Sequence, residues 1–458
     1  MTERRDAPPL MHSQIGAPMI WFHLVILLVF LFAGSRLGGV GVGLAGGAGT
    51  LVLIATGLST DVDADIPWTV IGIIMPVICT IAALQVAGAM DHLVHLTEVM
   101  LRRHPKQITY LAPLSTYLLS FLCGTGHTAY SVLPVIVEVS KENKIRPSRP
   151  LSIAVVASQI AVAASPISAT TAALLTSVEQ TRGIGYLQIL AIVIPTTFIG
   201  CVVGAVVASR QGRELEDDPV YQEREAKGLV SHTSASTMSS DYQPAKGAIT
   251  SLWIFLGAVL LIVVYATLSS DQIGIMENPP MDATGAIMLI MLTCAAVICL
   301  VSRHDVAKIA SQSTFRAGMS AAICILGVAW MGNVFFGAYK DTLIDATGGA
   351  LHAVPWLFAV VLYFASPILF SHAATTRVFI PLAVTIGLSS PTIMACYPAV
   401  ANYYLLPNYP TTVAAIEMDD TGSTRVGRFV LNHPFVVPGT VSIAVIVALG
   451  FLWAPIVL

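Results

Sequence analysis

Eight apolar stretches, at about residues 20–35, 38–57, 68–90, 185–208, 250–268, 284–301, 316–336 and 437–455, dominate this sequence of 458 residues. Each approaches the length needed to cross a hydrocarbon core of roughly 30 Å. Inside such a core every backbone amide and carbonyl must be satisfied without water, so each stretch is read as a membrane helix. Composition agrees: 11% of residues are charged and the mean hydropathy is +0.78, whereas a soluble domain carries about 25% charged residues. The formal net charge of -3 offers no basic surface for nucleic acid, which is excluded as a partner. The seven cysteines all lie in apolar runs, with no CxxC pair and no Cys/His ligand spacing, so they read as small core residues. The glycine run from Gly38 to Gly43 with Gly46 and Gly47 has no preceding strand, and so reads as tight helix packing rather than a dinucleotide fingerprint. Residues 1–19 form an N-terminal extension. The apolar run after it is not closed by a small-residue cleavage site, so a retained first span is expected.

Four further stretches, 108–139, 151–176, 355–386 and 392–416, are interrupted near their middles by polar residues, Pro or Gly. Most of the 23 basic residues fall in loops that alternate with acidic ones. Arg36, then Arg102, Arg103 and Lys106, then Lys141, Lys144, Arg146 and Arg149 mark cytoplasmic loops, as do Arg303, Lys308, Arg316, Arg425 and Arg428. The acidic stretches 61–65 and 271–282 lack Lys and Arg and read as outside. With basic loops on both flanks, 108–139 must enter and leave on the cytoplasmic side as a re-entrant hairpin. By the same walk 355–386 is a second hairpin dipping from the opposite face.

The expected fold is therefore an all-α integral membrane protein built as an inverted repeat. Each half holds three spans, a re-entrant hairpin, a broken span and a final span. Repeat 1 covers 20–208, repeat 2 covers 250–458, and a polar cytoplasmic linker, 209–249, is read as a mobile loop between them. Both termini are then periplasmic. Inverted repeats with discontinuous helices are a signature of secondary transporters, whose sites lie where the breaks meet.

Broken backbone at membrane depth must be buried in protein or line a cavity. Hairpin one turns at Gly124, Thr125, Gly126, His127 and Thr128; hairpin two turns at Ser371, His372, Thr375, Thr376 and Arg377. The broken spans interrupt at Ser165, Pro166 and Ser168, and at Asn408, Tyr409, Pro410 and Thr411. Proline there removes a helix donor and frees carbonyls one turn back. Each restarting helix aims amides and the positive end of its dipole at the break, which suits an anion. No Asp or Glu lies deep in a span, so a cationic substrate or an acidic proton relay lacks its usual residues. His127 and His372 could each be core imidazoles or substrate contacts. Arg377 could pair with a carboxylate or snorkel outward. Tyr403 and Tyr404 read as packing and hydrogen-bonding residues.

Ser35-Arg36-Leu37-Gly38-Gly39, Gly124-Thr125-Gly126-His127 with Leu133-Pro134-Val135-Ile136, Ala164-Ser165-Pro166-Ile167-Ser168, Leu406-Pro407-Asn408-Tyr409-Pro410-Thr411 and Asp419-Asp420-Thr421-Gly422 closely resemble motifs of the anaerobic C4-dicarboxylate transporter (Dcu) family. The likeness runs from about residue 20 to the C-terminus. It implies an antiporter exchanging fumarate, malate or aspartate for succinate in the bacterial inner membrane, and an ion-transporter-superfamily architecture. Hairpin two departs from that family at His372, where the compared members carry glutamine.

Other readings are a Na⁺- or H⁺-coupled carrier of another small organic anion, such as citrate, or a transporter that also serves a sensor-kinase partner around Asp419 and Asp420. An intramembrane enzyme would need a Ser/His, Asp/Asp or metal constellation at depth, and none is assembled here. No cofactor or metal is expected; the partners are dicarboxylate anions and membrane lipid, with a homo-oligomer left open.

Overall fold

The computed structural model describes residues 17–37, 40–66, 68–231, 242–269, 275–276, 278–339, 342, 349–369, 371–407, 409–429 and 431–458. Asn408, most of the N-terminal extension and the linker stretch 232–241 lie outside them. Among the described residues the chain is helical, with no strand. The first half runs α1 (Ala17–Leu37), α2 (Gly41–Ala55), the short α3 (Val62–Asp65), α4 (Trp68–Val86), α5 (Ala89–Arg103), α6 (Ile108–Cys123), α7 (Leu133–Glu142), α8 (Ser148–Ala164), α9 (Ala169–Arg182) and α10 (Tyr186–Ser209). After α11 (Pro219–Ala226), the second half runs α12 (Ala248–Leu268), α13 (Ala283–Ser302), α14 (Ala307–Ser311) and α15 (Ser313–Ala338). It ends with α16 (Leu357–Leu369), α17 (His372–Ile386), α18 (Ser390–Cys396), α19 (Pro410–Met418) and α20 (Val436–Val457).

Five helical segments, Ser148–Leu175, Tyr186–Ser209, Ala248–Leu268, Thr284–Ser302 and Val436–Val457, are long and apolar enough to cross a bilayer. Where the sequence reading carried a span to residue 90, the helix stops at Val86 and turns by 69° into α5. The cause is Gly88, which adopts the left-handed backbone open to glycine (φ 74°). Large apolar side chains face outward on the peripheral helices: Trp21 and Phe32 on α1, Trp253 on α12, Leu300 on α13 and Ile456 on α20. That outer belt suits lipid. In contrast α8 is buried on all sides, because its Ala and Ser side chains let neighbours approach from every direction.

Small residues set two of the helix crossings. A Cβ on Gly327 of α15 would stand 1.8 Å from the Gly43 carbonyl oxygen of α2, so only glycine allows this backbone contact. Between α4 and α13, Thr80 Oγ1 donates to the Met291 carbonyl at 2.6 Å and to the Pro76 carbonyl at 2.9 Å. At the polar end the linker is more ordered than its composition implied. Residues 210–231 include α11 and fold back onto the loops after α7 and α19. Lys141 Nζ lies 2.9 Å from both Asp420 carboxylate oxygens, and the Ser231 amide donates to Asp420 at 2.9 Å. Arg146 meets the buried Asp218 at 2.6 Å. Within the stretch read as a mobile linker, the charges of this segment have partners on other loops, which composition alone does not reveal.

Candidate functional site

Tip one begins where α6 ends at Gly124, whose φ of 65° reverses the chain. Thr125 Oγ1 accepts from the His127 amide at 3.4 Å, and Thr128 Oγ1 donates back to the Thr125 carbonyl at 3.2 Å. Gly124 packs onto break one, since a Cβ there would meet the Ile167 carbonyl oxygen at 3.2 Å. Gly126 packs onto α8, since a Cβ there would lie 2.6 Å from Gln159 Nε2. Tip two begins at Ser371, whose Oγ accepts from the Ala374 amide at 3.2 Å and caps α17.

Aromatic and imidazole rings connect the tips. The His127 ring stacks on Tyr409 with centroids 6.3 Å apart, Tyr409 meets Tyr403 at 4.8 Å, and Tyr403 meets His372 at 4.2 Å. Tip one, break two and tip two therefore converge. Break two is also longer than the sequence implied. Its first helix gives way after a 3₁₀ turn ending at Ala401, and extended chain brings Tyr403 into the ring chain before α19 starts at Pro410. Tyr403 thus stands between His372 and Tyr409 in that chain.

Break one packs against tip one. Its freed carbonyls are taken by protein: Thr171 Oγ1 donates to Ser165 at 2.8 Å, Tyr397 Oη donates to Ala163 at 3.1 Å, and Tyr186 Oη donates to Pro166. Ser168 Oγ accepts from the Thr171 amide at 3.1 Å, capping α9. Ser165, Pro166 and Ser168 thus brace tip one from behind. On α17 the Thr375 and Thr376 hydroxyls each donate at 2.9 Å to carbonyls of their own helix, Ser371 and His372, so their protons are already used. Arg377 sits about 140° round the helix from His372 at 100° per residue. Its Nε is buried without a partner, and no acid among the described residues forms an ion pair with it.

The sequence reading missed Gln159. It lies in mid-helix on α8, 1% exposed, and its Nε2 donates to Thr411 Oγ1 at 3.1 Å; its backbone lies beside the His372 ring. Gln159 therefore touches tip one, break two and tip two. A lone glutamine amid Ala, Val and Ser was the available signal, since a buried amide needs a polar neighbourhood. Around these elements several polar atoms are buried without hydrogen-bond partners: His372 Nε2, Gln159 Oε1, Asn402 Oδ1, Tyr403 Oη and Thr412 Oγ1. The Tyr403 hydroxyl approaches Thr375 without reaching hydrogen-bond geometry. Folded proteins pair nearly all such groups, and an unpaired one costs about 1–3 kcal/mol. They fall on α8, tip two and break two, the elements that converge here.

Residues 19–458 match the family model described as anaerobic C4-dicarboxylate membrane transporter. Among curated relatives, the C4-dicarboxylate transporter DcuA of Wolinella succinogenes is 48% identical, covering 96% of this chain and 100% of its own. DcuA of Escherichia coli K12 is 46% identical over 94% of this chain and 98% of its own. The anaerobic C4-dicarboxylate transporter DcuB of Escherichia coli strain CFT073 is 33% identical over 94% and 97%. Among solved structures, the YdaH transporter of Alcanivorax borkumensis superposes with a TM-score of 0.59 at 13% identity, covering 96% of this chain and 98% of its own. MtrF of Neisseria gonorrhoeae gives 0.53 at 14% identity, covering 96% of each. These two likenesses bear on the fold alone, as a helical membrane-transporter fold. With the family model spanning nearly the whole chain and full-length relatives at up to 48% identity, this chain belongs to the anaerobic C4-dicarboxylate membrane transporter family.

Proposed function

We propose that the protein is a secondary antiporter in the bacterial inner membrane that exchanges C4-dicarboxylates such as fumarate, malate, aspartate and succinate. The substrate sits between the two hairpin tips. The observation that carries this reading is the cluster of buried unpartnered polar atoms where tip one, break two and tip two converge. Thr412 and Tyr403 can donate to carboxylates, and Arg377 is a half-buried cation with a buried, unpartnered Nε and no ion pair to an acid among the described residues. A doubly negative guest answers both deficits.

In this reading the hairpins re-enter from opposite faces of an inverted repeat, with both termini periplasmic. The packing of the halves supports it. Exchanging the halves maps α2 on α13 and α4 on α15, so the α2–α15 contact maps onto α13–α4, and both pairs pack extensively. The closing helices of the halves, α10 and α20, pack on each other. Such symmetry lets one site face either side in turn. Counterflow in proteoliposomes tests the proposal: internal succinate should accelerate uptake of labelled fumarate severalfold over empty vesicles. Equal rates would refute exchange, and no inhibition by any C4-dicarboxylate would refute the substrate class.

A further inference from the structure

The orientation of the Gln159 amide is set by its surroundings. Ser158 Oγ donates its only proton to the Val155 carbonyl at 2.7 Å, so toward Gln159 it can only accept. Gln159 Nε2 accordingly faces Ser158 Oγ at 3.4 Å and Thr411 Oγ1 at 3.1 Å. The carbonyl oxygen Oε1 is left on the other side of the amide, buried and without a donor. The Gly126 backbone closes over this amide, because a Cβ there would fall 2.9 Å from Oε1.

An acceptor is out of place in a site that otherwise receives carboxylates. Two oxygens rich in electron density repel, and a buried carbonyl left unpaired is costly. The oxygen makes sense if the substrate brings a donor of its own. A C4-dicarboxylate carries one only as a substituent on C2, an ammonium or a hydroxyl. We propose that Gln159 Oε1 accepts a hydrogen bond from this C2 substituent and so sets the preference of the transporter for 2-substituted over unsubstituted dicarboxylates. The inference rests on the functional reading above. It assigns a specificity role to a residue that neither the breaks nor the motifs had marked. Asn402 Oδ1 is the other orphan amide oxygen of the cluster, but its amide nitrogen is tied to the Tyr363 carbonyl at 2.7 Å. It lies at the start of break two.

The test uses the full chain in proteoliposomes loaded with succinate. Uptake of labelled fumarate is competed with L-aspartate, L-malate and succinate for the wild type, Gln159→Met and Gln159→Glu. The Met side chain keeps the length but removes the acceptor. The potency of aspartate and malate relative to succinate should fall on the order of tenfold or more, the loss seen when a buried partner is deleted. The Glu variant keeps an acceptor oxygen and should retain or strengthen the preference for aspartate, whose ammonium it can pair with. Equal loss of potency for substituted and unsubstituted acids in the Met variant overturns the proposal, as does an unchanged ratio. If the Met variant carries no flux, ligand-induced thermal shifts of the purified variant with the same three acids yield the ratio. Absence of any dicarboxylate exchange by the wild type would instead refute the functional reading itself, so the two failures are distinguishable.

Discussion

At Gly126 the demand on a single residue is steric. A methyl group there would enter the space of the Gln159 amide at 2.6 Å, and that amide cannot swing away without losing Thr411. Gly126→Ala is expected to lower exchange at least about fivefold while leaving membrane insertion intact, measured by initial uptake rates against protein content. This corresponds to the 1–3 kcal/mol typical of overpacking. The threonines separate on a different ground. Thr376 has committed its proton to the His372 carbonyl, whereas Thr412 Oγ1 is fully buried and unpaired. Thr412→Val should therefore weaken dicarboxylate affinity by about 1 kcal/mol, near fivefold, and Thr376→Val by much less, read from competition with labelled fumarate. A sequence shows which side chains carry hydroxyls, and it placed Thr375 and Thr376 at a break. Whether a hydroxyl proton is already spent on its own helix is a matter of local geometry, and so was not legible.

Among the elements, the folded part of the linker is the one whose behaviour should depend on pH. Burial raises the Asp420 carboxyl, but hydrogen bonds from Lys141 and Ser231 and the Lys141 charge outweigh it and hold the group below the usual carboxylate range. Asp218 is likewise raised by burial and brought lower overall by the Val220 amide, Arg146 and Arg425. A carboxyl depressed on folding binds more protons unfolded, so its stabilisation is complete at neutral pH. It is lost as pH falls below about 4 through the lower folded value. Limited proteolysis of residues 210–231 should accordingly be slow at pH 7 and accelerate below about pH 4, and Asp420→Asn should be cut faster already at pH 7. The Lys141–Asp420 pair is partly exposed, so its loss should cost no more than about 1 kcal/mol. Unchanged cleavage in Asp420→Asn would show that the contact does not hold the segment. The linker read as mobile because its polar composition offers no core; its order comes from charges on distant loops.

For the whole molecule, the proposed inverted arrangement makes a prediction about sidedness. In a chain freed of its seven cysteines, single cysteines at Thr125 and at Ala374 should react with an impermeant maleimide from opposite faces, tip one from the cytoplasm and tip two from outside. Reaction of both from one face would break the repeat. The amino-acid sequence by itself determined that this chain is a bundle of apolar helices, and roughly where they start and stop. Seven of the eight uninterrupted stretches each coincide with a helix and the eighth, 68–90, overruns the end of α4 at Val86, because hydrocarbon leaves a backbone no other way to pair its amides. It also located the four breaks, since Pro and Gly act within one turn of chain. What only the tertiary structure decided is which groups meet there. Break one braces tip one with its own carbonyls satisfied, break two reaches back to Tyr403, and Gln159 stands between the tips. These facts depend on contacts between residues apart in sequence, by 252 positions from Gln159 to Thr411, and no local pattern encodes which buried polar atom is left without a partner.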